Sequence, residues 1–415
     1  MNEKQNLRLK RNVGLDYVHT FLSNMNMQSS IWVLYLAYCG LHLAQIGLLE
    51  GIYHATSIVC EIPSGAAADL WGRKRCMILS NLCIAVSCVI MLFSKSFGWF
   101  AVSFAVQALG NNLNSGSEEA LVYDSMKCLG QEEHYMGVYG RLNVLIEVAQ
   151  GLATVAGGVL AEFSYFWCYA ACVVIAVLAL LPVLGMAEPP QCSKAAGGSA
   201  KDAPAEGTPA QRTIWETVKH HFAVSACILQ KDARIGKIIG FYSVVFAAHT
   251  LLFFYSQQYF ADFGYNKVQI SVIMLLVGGA SCFGALASEK MYRRFGKRCL
   301  IPETVIIAAA ILCYGSGKAG VAAAALMCAG FANAALYPIQ SDSLNALIPS
   351  EQRATLISVD SMCFSIAMIV LFPLAGAFAD RWGLKTVLLL LGAILLLFLL
   401  AAFCIEKESF SSDHS

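Results

Sequence analysis

The chain has 415 residues, of which 58% are hydrophobic and only 13% charged. Soluble domains carry about 25% charged residues. Half that share leaves too little polar surface to face water, so a polytopic membrane protein remains. A net charge of +1 excludes the basic face that a nucleic-acid partner requires.

The cysteines sit singly inside apolar runs, with no CxxC pair and no Cys/His spacing suited to zinc. Neither a metal nor a cofactor is expected. Windows of about 20 apolar residues predict twelve helical spans, at roughly 15–39, 43–69, 75–94, 97–126, 135–161, 165–187, 236–261, 266–288, 299–316, 319–347, 354–379 and 384–405. The basic N-terminus before the first span lacks a small-residue cleavage site, which predicts a retained helix. With that end inside, inner loops hold every Lys and Arg except Lys95, Lys267, Lys318, Arg381 and Lys385. Both termini are therefore expected in the cytoplasm, with the chain in the plasma (inner) membrane.

In chain order, the first span offers Asn24, Gln28, Trp32 and Tyr35 as amide and aromatic cavity candidates. The second carries Glu50, His54, Ser57 and Glu61 at i, i+4, i+7 and i+11, which places them on one helix face. Two carboxylates with an imidazole between them can hold and pass a proton. The same stripe also suits a hydrogen-bonded contact between the second and eleventh helices. The loop that follows runs Gly65-Ala66-Ala67-Ala68-Asp69-Leu70-Trp71-Gly72-Arg73-Lys74-Arg75. In it Gly65 permits close helix approach, Gly72 a sharp turn, and Asp69 can accept hydrogen bonds at a neighbouring helix N-terminus.

The fourth span is polar, with Gln107, Asn111, Asn114, Glu118 and Glu119. Adjacent acids point in different directions on a helix, so at most one of the two faces a cavity; Glu118 and Glu119, with Glu61 and His249, join Glu50 and His54 as proton-coupling candidates. Arg141, at the start of the fifth span, is the expected ion-pair partner if this pair braces a gate. Glu147 lies deep in the fifth span. Residues 188–234 read as a Pro/Gly/Ala linker followed by an amphipathic interfacial helix from Ile214. The chain thus divides into a six-helix bundle over 1–187, a cytoplasmic segment over 188–234 and a second bundle over 235–415. The seventh span holds His249 among Tyr242, Phe253 and Gln257, and the tenth holds Asn333, Tyr337 and Gln340. A lone histidine also suits a satisfied core position. Asp342 and Asp360 fall near helix ends, as gate partners.

A glycine followed by an acid about one turn later closes four helices: Gly65…Asp69, Gly158…Glu162, Gly284…Glu289 and Gly376…Asp380. Gly65 pairs with Gly284, Gly110 with Gly330, Asp124 with Asp342 and Gly158 with Gly376, all at one nearly constant offset. Two duplicated halves, each with inverted three-helix units, are the arrangement of rocker-type transporters.

On these residues the chain resembles the major facilitator superfamily over its whole length. The resemblance implies an all-α fold of twelve transmembrane helices in two pseudo-symmetric bundles. It also implies a conformational latch in which Asp69, Arg73 and Lys74 of the loop meet Asp124. The second copy, Glu289-Lys290-Met291-Tyr292-Arg293-Arg294-Phe295-Gly296-Lys297-Arg298, departs from the pattern. The arginine that proton-coupled members often carry in helix four is replaced around Val106 and Gln107, and the antiporter motif keeps only Gly157-Gly158.

Ile46–Glu50, Glu61–Gly65 and Ser115–Ala120 look like a bacterial group labelled drug exporters. The expected function is proton-coupled export of a small amphipathic organic solute by a monomer in the bilayer. A proton-coupled nutrient importer and a non-transporting receptor are the rivals. Neither a phosphate-binding loop nor a nucleophile elbow is present, so an enzyme is not expected.

Overall fold

A computed structural model describes residues 3–190, 233–296, 300–345 and 353–412. The expected interfacial helix and most of the linker lie outside the described residues. Among these every regular element is helical: α1 (Glu3–Ser23), α2 (Trp32–Tyr38), α3 (Leu43–Trp71), α4 (Arg73–Phe93), α5 (Phe97–Asn114), α6 (Ser117–Cys128), α7 (Tyr135–Phe163) and α8 (Tyr165–Gly185). After the linker come α9 (Ala233–Asp262), α10 (Lys267–Phe295), α11 (Leu300–Cys313), α12 (Ala319–Asn345), α13 (Arg353–Trp382) and α14 (Leu384–Ser412).

In chain order these fill the twelve expected spans, but two spans predicted as continuous are broken. The first consists of α1 and α2, separated by residues 24–31, where Asn24 and Asn26 favour turns over helix. The fourth consists of α5 and α6. Between them Gly116 takes φ +74°, a left-handed conformation that a residue with a Cβ adopts at a cost.

The helices long and apolar enough to cross a membrane include α4, α8, α9, α10, α12 and α13, with α7 and its preceding turn making the seventh. Parts of α11 and α14 form shorter apolar helices. The first, second and fourth spans fit neither description. They are the spans that carry Asp16, Glu50, Glu61, Glu118 and Glu119, so polar side chains and breaks lower their hydropathy together.

The chain forms two compact units. Unit 1 contains Met1–Met27, Ala55–Ala153 and Phe166–Val224; unit 2 contains Gln28–His54, Thr154–Tyr165 and Ser225–Ser415. In unit 1, α4 packs along α5, and α6 lies against α1 and α4. Met77, Leu121, Val183 and Met186 form a buried cluster there. In unit 2, α10 packs on α12, α11 on α12 and α14, and α9 on α13. The short α2 also packs on α9, where Trp32 meets Phe254 edge to face at 5.1 Å.

Three close approaches in unit 2 use glycines of the repeated motif, one of them Gly284, where a Cβ would collide with the Phe331 carbonyl. A Cβ on Gly158 would collide with the Ser271 hydroxyl, and one on Gly376 with the Leu43 carbonyl. Small residues let membrane helices approach to backbone contact. Because backbone cannot yield as a flexible side chain does, Gly376→Ala should cost about 1–3 kcal/mol. A lower thermal unfolding temperature of the purified chain in detergent would report it. An unchanged transition would mean that the contact opens freely.

Candidate functional site

Two acids of the repeated motif, Asp380 and Glu162, cap other helices one turn beyond their glycines, whereas Glu289 pairs with Arg293 on its own helix. Asp380 accepts from the Leu43 and Ala44 amides at 3.0 and 2.9 Å, at the N-terminus of α3. Glu162 accepts from the Lys267 amide at 3.0 Å, at the N-terminus of α10. Its carboxylate also lies 3.9 Å from the Lys267 ammonium. Asn266 and Gln269 complete that terminus as a reciprocal capping box. The first-turn amides of a helix have no intrahelical acceptor, and carboxylates suit them by both hydrogen bonding and the helix dipole.

Unit 1 has a third such junction. Gly72, at φ +94°, precedes α4, whose Arg73 and Lys74 amides donate to the two oxygens of Glu188 at 2.7 and 2.9 Å. Lys74 Nζ donates to the Leu184 and Met186 carbonyls at the end of α8. Arg73 donates to the Asp124 carboxylate and the Ala120 carbonyl on α6. The Arg73–Asp124 pair expected of the latch is therefore formed. Glu188, read in the sequence only as the start of a linker, is an integral part of it. Gly65 is open, and the side chain of Asp69 lies outside the described residues. Asp342 is exposed.

The polar stripe of α3 does not meet a single partner. Glu50 and His54 are 9% and 8% exposed, with Nε2 of the histidine 3.6 Å from Oε1 of the glutamate. His54 Nδ1 lies 3.2 Å from Ser365 Oγ on α13, and its ring stands edge-on to Phe364 at 5.5 Å. His54 thus makes the contact with the eleventh span, and Glu50 joins it through the histidine, all within unit 2. One turn on, in unit 1, Ser57 exchanges hydrogen bonds with Asn112 of α5 instead. Glu61 is half-buried.

Phe364 also lines a cavity of about 340 Å³ within unit 2. Its wall includes Ser243, Phe246 and Thr250 of α9, Asn333, Tyr337 and Ser341 of α12, and Asp360 and Ser361 of α13. Hydroxyls, an amide, three aromatic rings and one carboxylate face a volume within the usual range for small-molecule sites. Among the described residues no lysine, arginine or histidine lines it. Gln340 Nε2 reaches Asp360 at 3.4 Å from behind. Asp360, expected near a helix end as a gate partner, is a wall residue of this cavity.

The other cavity candidates divide. Asn333 and Tyr337 are on the wall. Gln257 is fully buried and ties the Ser29 carbonyl and the Val33 amide, so it braces α2. Tyr242 is buried against Phe241 and Phe246, Phe253 packs on Phe254, and Tyr35 stands near Tyr165. His249 keeps Nε2 buried without a partner but is not on the wall. Gln28 also holds its buried Oε1 unpartnered.

In unit 1, Asn24 joins the Thr20 carbonyl and Gln150. Gln107 is half-buried, whereas Asn111, Glu119 and Glu147 are exposed. Glu118 accepts from Thr20 at 2.8 Å and Asn114 at 2.6 Å. Arg141, the expected partner, is exposed. The group placed beside Glu118 is His19, at 3.9 Å. His19 and the nearby Asp16 were not among the sequence candidates. The spacing of Asn12, Asp16, His19 and Thr20, one helical stripe like that on α3, is the pattern that marks them.

Apolar helices of membrane-spanning length, joined through capped junctions, describe a polytopic membrane protein. The Major Facilitator Superfamily model matches residues 18–359 and 304–413, and the chain belongs to that family. Across 90% of both chains it is 22% identical to an uncharacterized MFS-type transporter, YxaM, of Bacillus subtilis (strain 168). An uncharacterized transporter of Buchnera aphidicola is 29% identical over 32% of this chain and 34% of its own. Among solved structures, the nucleoside transporter NupG superposes with a TM-score of 0.75 at 15% identity, covering 98% of this chain and all of its own. A bacterial homologue of the lysosomal transporter Spinster gives 0.70 at 17% identity, covering 100% and 99%. A D-xylose-proton symporter gives 0.66 at 14%, covering 96% and 97%. At these identities the structures share the fold.

Removing a cap tests the junctions. Asp380→Asn keeps one acceptor and loses the charge, so it should lower stability by about 0.5–1 kcal/mol, and Asp380→Ala by up to ~2 kcal/mol. A double-mutant cycle on Arg73→Ala and Asp124→Asn should return a coupling of about 1 kcal/mol or more. Additive effects in chemical or thermal unfolding would show that the pair is not a tie.

Proposed function

We propose that the chain is a proton-coupled secondary transporter that exports a small organic solute by alternating access. The unit 2 cavity would supply part of the substrate site. The single observation that supports this most is the composition of its wall. Rings of Phe246, Tyr337 and Phe364 suit an apolar face of the solute, while Ser243, Thr250, Asn333, Ser341 and Ser361 suit its hydroxyl or amine groups. Asp360 with no facing cation favours an uncharged or cationic solute over an anion.

Proton coupling rests on Glu50 and His54, which lie behind the cavity wall through Phe364. A proton on the imidazole makes an ion pair with Glu50, and its loss leaves a single buried charge. The charge state of the pair can therefore bear on how Phe364 and α13 sit. Both termini are read as cytoplasmic, in the plasma membrane, from the distribution of lysine and arginine.

Uptake of a hydroxylated nutrient is a second reading. It is favoured by the number of hydroxyls on the wall and by likeness in fold to a nucleoside transporter and a D-xylose-proton symporter. Flux in proteoliposomes under an imposed pH gradient separates the two by direction. The panel should include hydroxylated, cationic and anionic solutes. Glu50→Gln should abolish gradient-driven flux while leaving exchange at equal pH. Asp360→Asn should raise KM for a cationic solute at least tenfold and change that for an uncharged one less. Gradient dependence that survives Glu50→Gln removes this coupling site, and no flux across the panel removes the transport reading.

A further inference from the structure

A second acid–histidine group lies in unit 1, around the break between α5 and α6. Asp16 is 1% exposed, and neither of its carboxyl oxygens has a hydrogen-bond partner. It stands within electrostatic reach of Glu118 on α6 and Tyr135 on α7. Glu118 has two donors, Thr20 to Oε1 and Asn114 to Oε2. His19 is equally buried, and its Nδ1 lies 3.0 Å from the Ala179 carbonyl of α8. A carbonyl only accepts, so Nδ1 carries the hydrogen. Nε2, 3.9 Å from Glu118 and otherwise unpartnered, then presents its lone pair on that side.

The remaining groups nearby do not neutralise the acids. Tyr17 keeps an unpartnered buried hydroxyl, Glu119 is exposed, and Arg73 is engaged by Asp124. No lysine or arginine among the described residues forms an ion pair with Asp16 or Glu118. Asp16, buried without a donor or a cation, would cost several kcal/mol as a carboxylate.

We propose that Asp16, Glu118 and His19 form a proton-binding site contained in unit 1 and separate from the Glu50–His54 pair. The two carboxyls take up one proton between them. Asp16, which has no donors, carries it, while Glu118 carries the charge that Thr20 and Asn114 stabilise. When a proton reaches Glu118, its transfer from the carboxyl oxygen to His19 Nε2 leaves a carboxylate and an imidazolium, with charge conserved. His19 is thus the relay. Its use in coupling rests on the transport reading above; the binding of the proton does not.

Infrared difference spectroscopy of the full chain in lipid vesicles, titrated from acid to alkaline pH in potassium buffer, reads protonated carboxyl groups directly. Asp16→Asn should abolish one protonated-carboxyl band, and Asp16→Glu should retain it. Glu118→Gln should keep the band but weaken its proton affinity at least tenfold, because the neighbouring negative charge is gone. Glu50→Gln should leave it unchanged.

A band that persists in Asp16→Asn, or a midpoint unmoved by Glu118→Gln, overturns the site. So does displacement of the band by sodium at constant pH, which would make the oxygen-rich cluster a sodium site. Thermal unfolding of each variant confirms that it is folded. Flux lost with the band intact counts against transport coupling, whereas an absent band with Glu50-dependent flux preserved counts against this site alone.

Discussion

Helix ends are the costly parts of a membrane fold. Each begins with amides that lack an internal acceptor. In this protein three such ends are met by carboxylates from other helices or their flanks: Asp380 on α3, Glu162 on α10 and Glu188 on α4. Two of these acids sit one turn beyond a glycine whose missing Cβ lets the backbones touch. The glycine sets the approach and the acid sets the register. Neither substitution can be made alone without stranding the other.

This dependence explains why the repeat was legible in the sequence. A glycine and an acid four residues apart are conspicuous, and their nearly constant offset reflects one structural task performed twice. Hydropathy likewise located the spans, since α4, α8, α10 and α13 are continuous and apolar. The breaks after Ser23 and at Ser115-Gly116 were hidden from it. A window average cannot distinguish an interrupted helix from a polar one, and both spans are polar for a reason that concerns the site.

The site was legible in part. Glu50 and His54 stood out because they lie in the middle of an apolar segment at helical spacing. Asp16 and His19 did not, because they fall in the first two turns of the predicted span, where polar residues read as its approach, although α1 runs continuously from Glu3. Glu188 was read as linker for a similar reason: its Pro-Pro continuation signals the end of structure, while its carboxylate closes the preceding one. Asp360 was assigned to a gate from its position near a helix end, but it sits with Ser361 and Phe364 on the part of α13 that forms the cavity wall. Sequence reveals depth along a helix better than direction around it.

The partner chosen for each acid fits the task. Arginine stays protonated at any physiological pH, so the Arg73–Asp124 tie keeps its charges and serves as a fastener. Histidine, unlike arginine, can exist with or without its proton, so a histidine–carboxylate pair can change the net charge of its surroundings by one. Glu50 has His54 and Glu118 has His19. Replacing either histidine by arginine would satisfy the carboxylate better in every static sense. It would also fix the charge permanently.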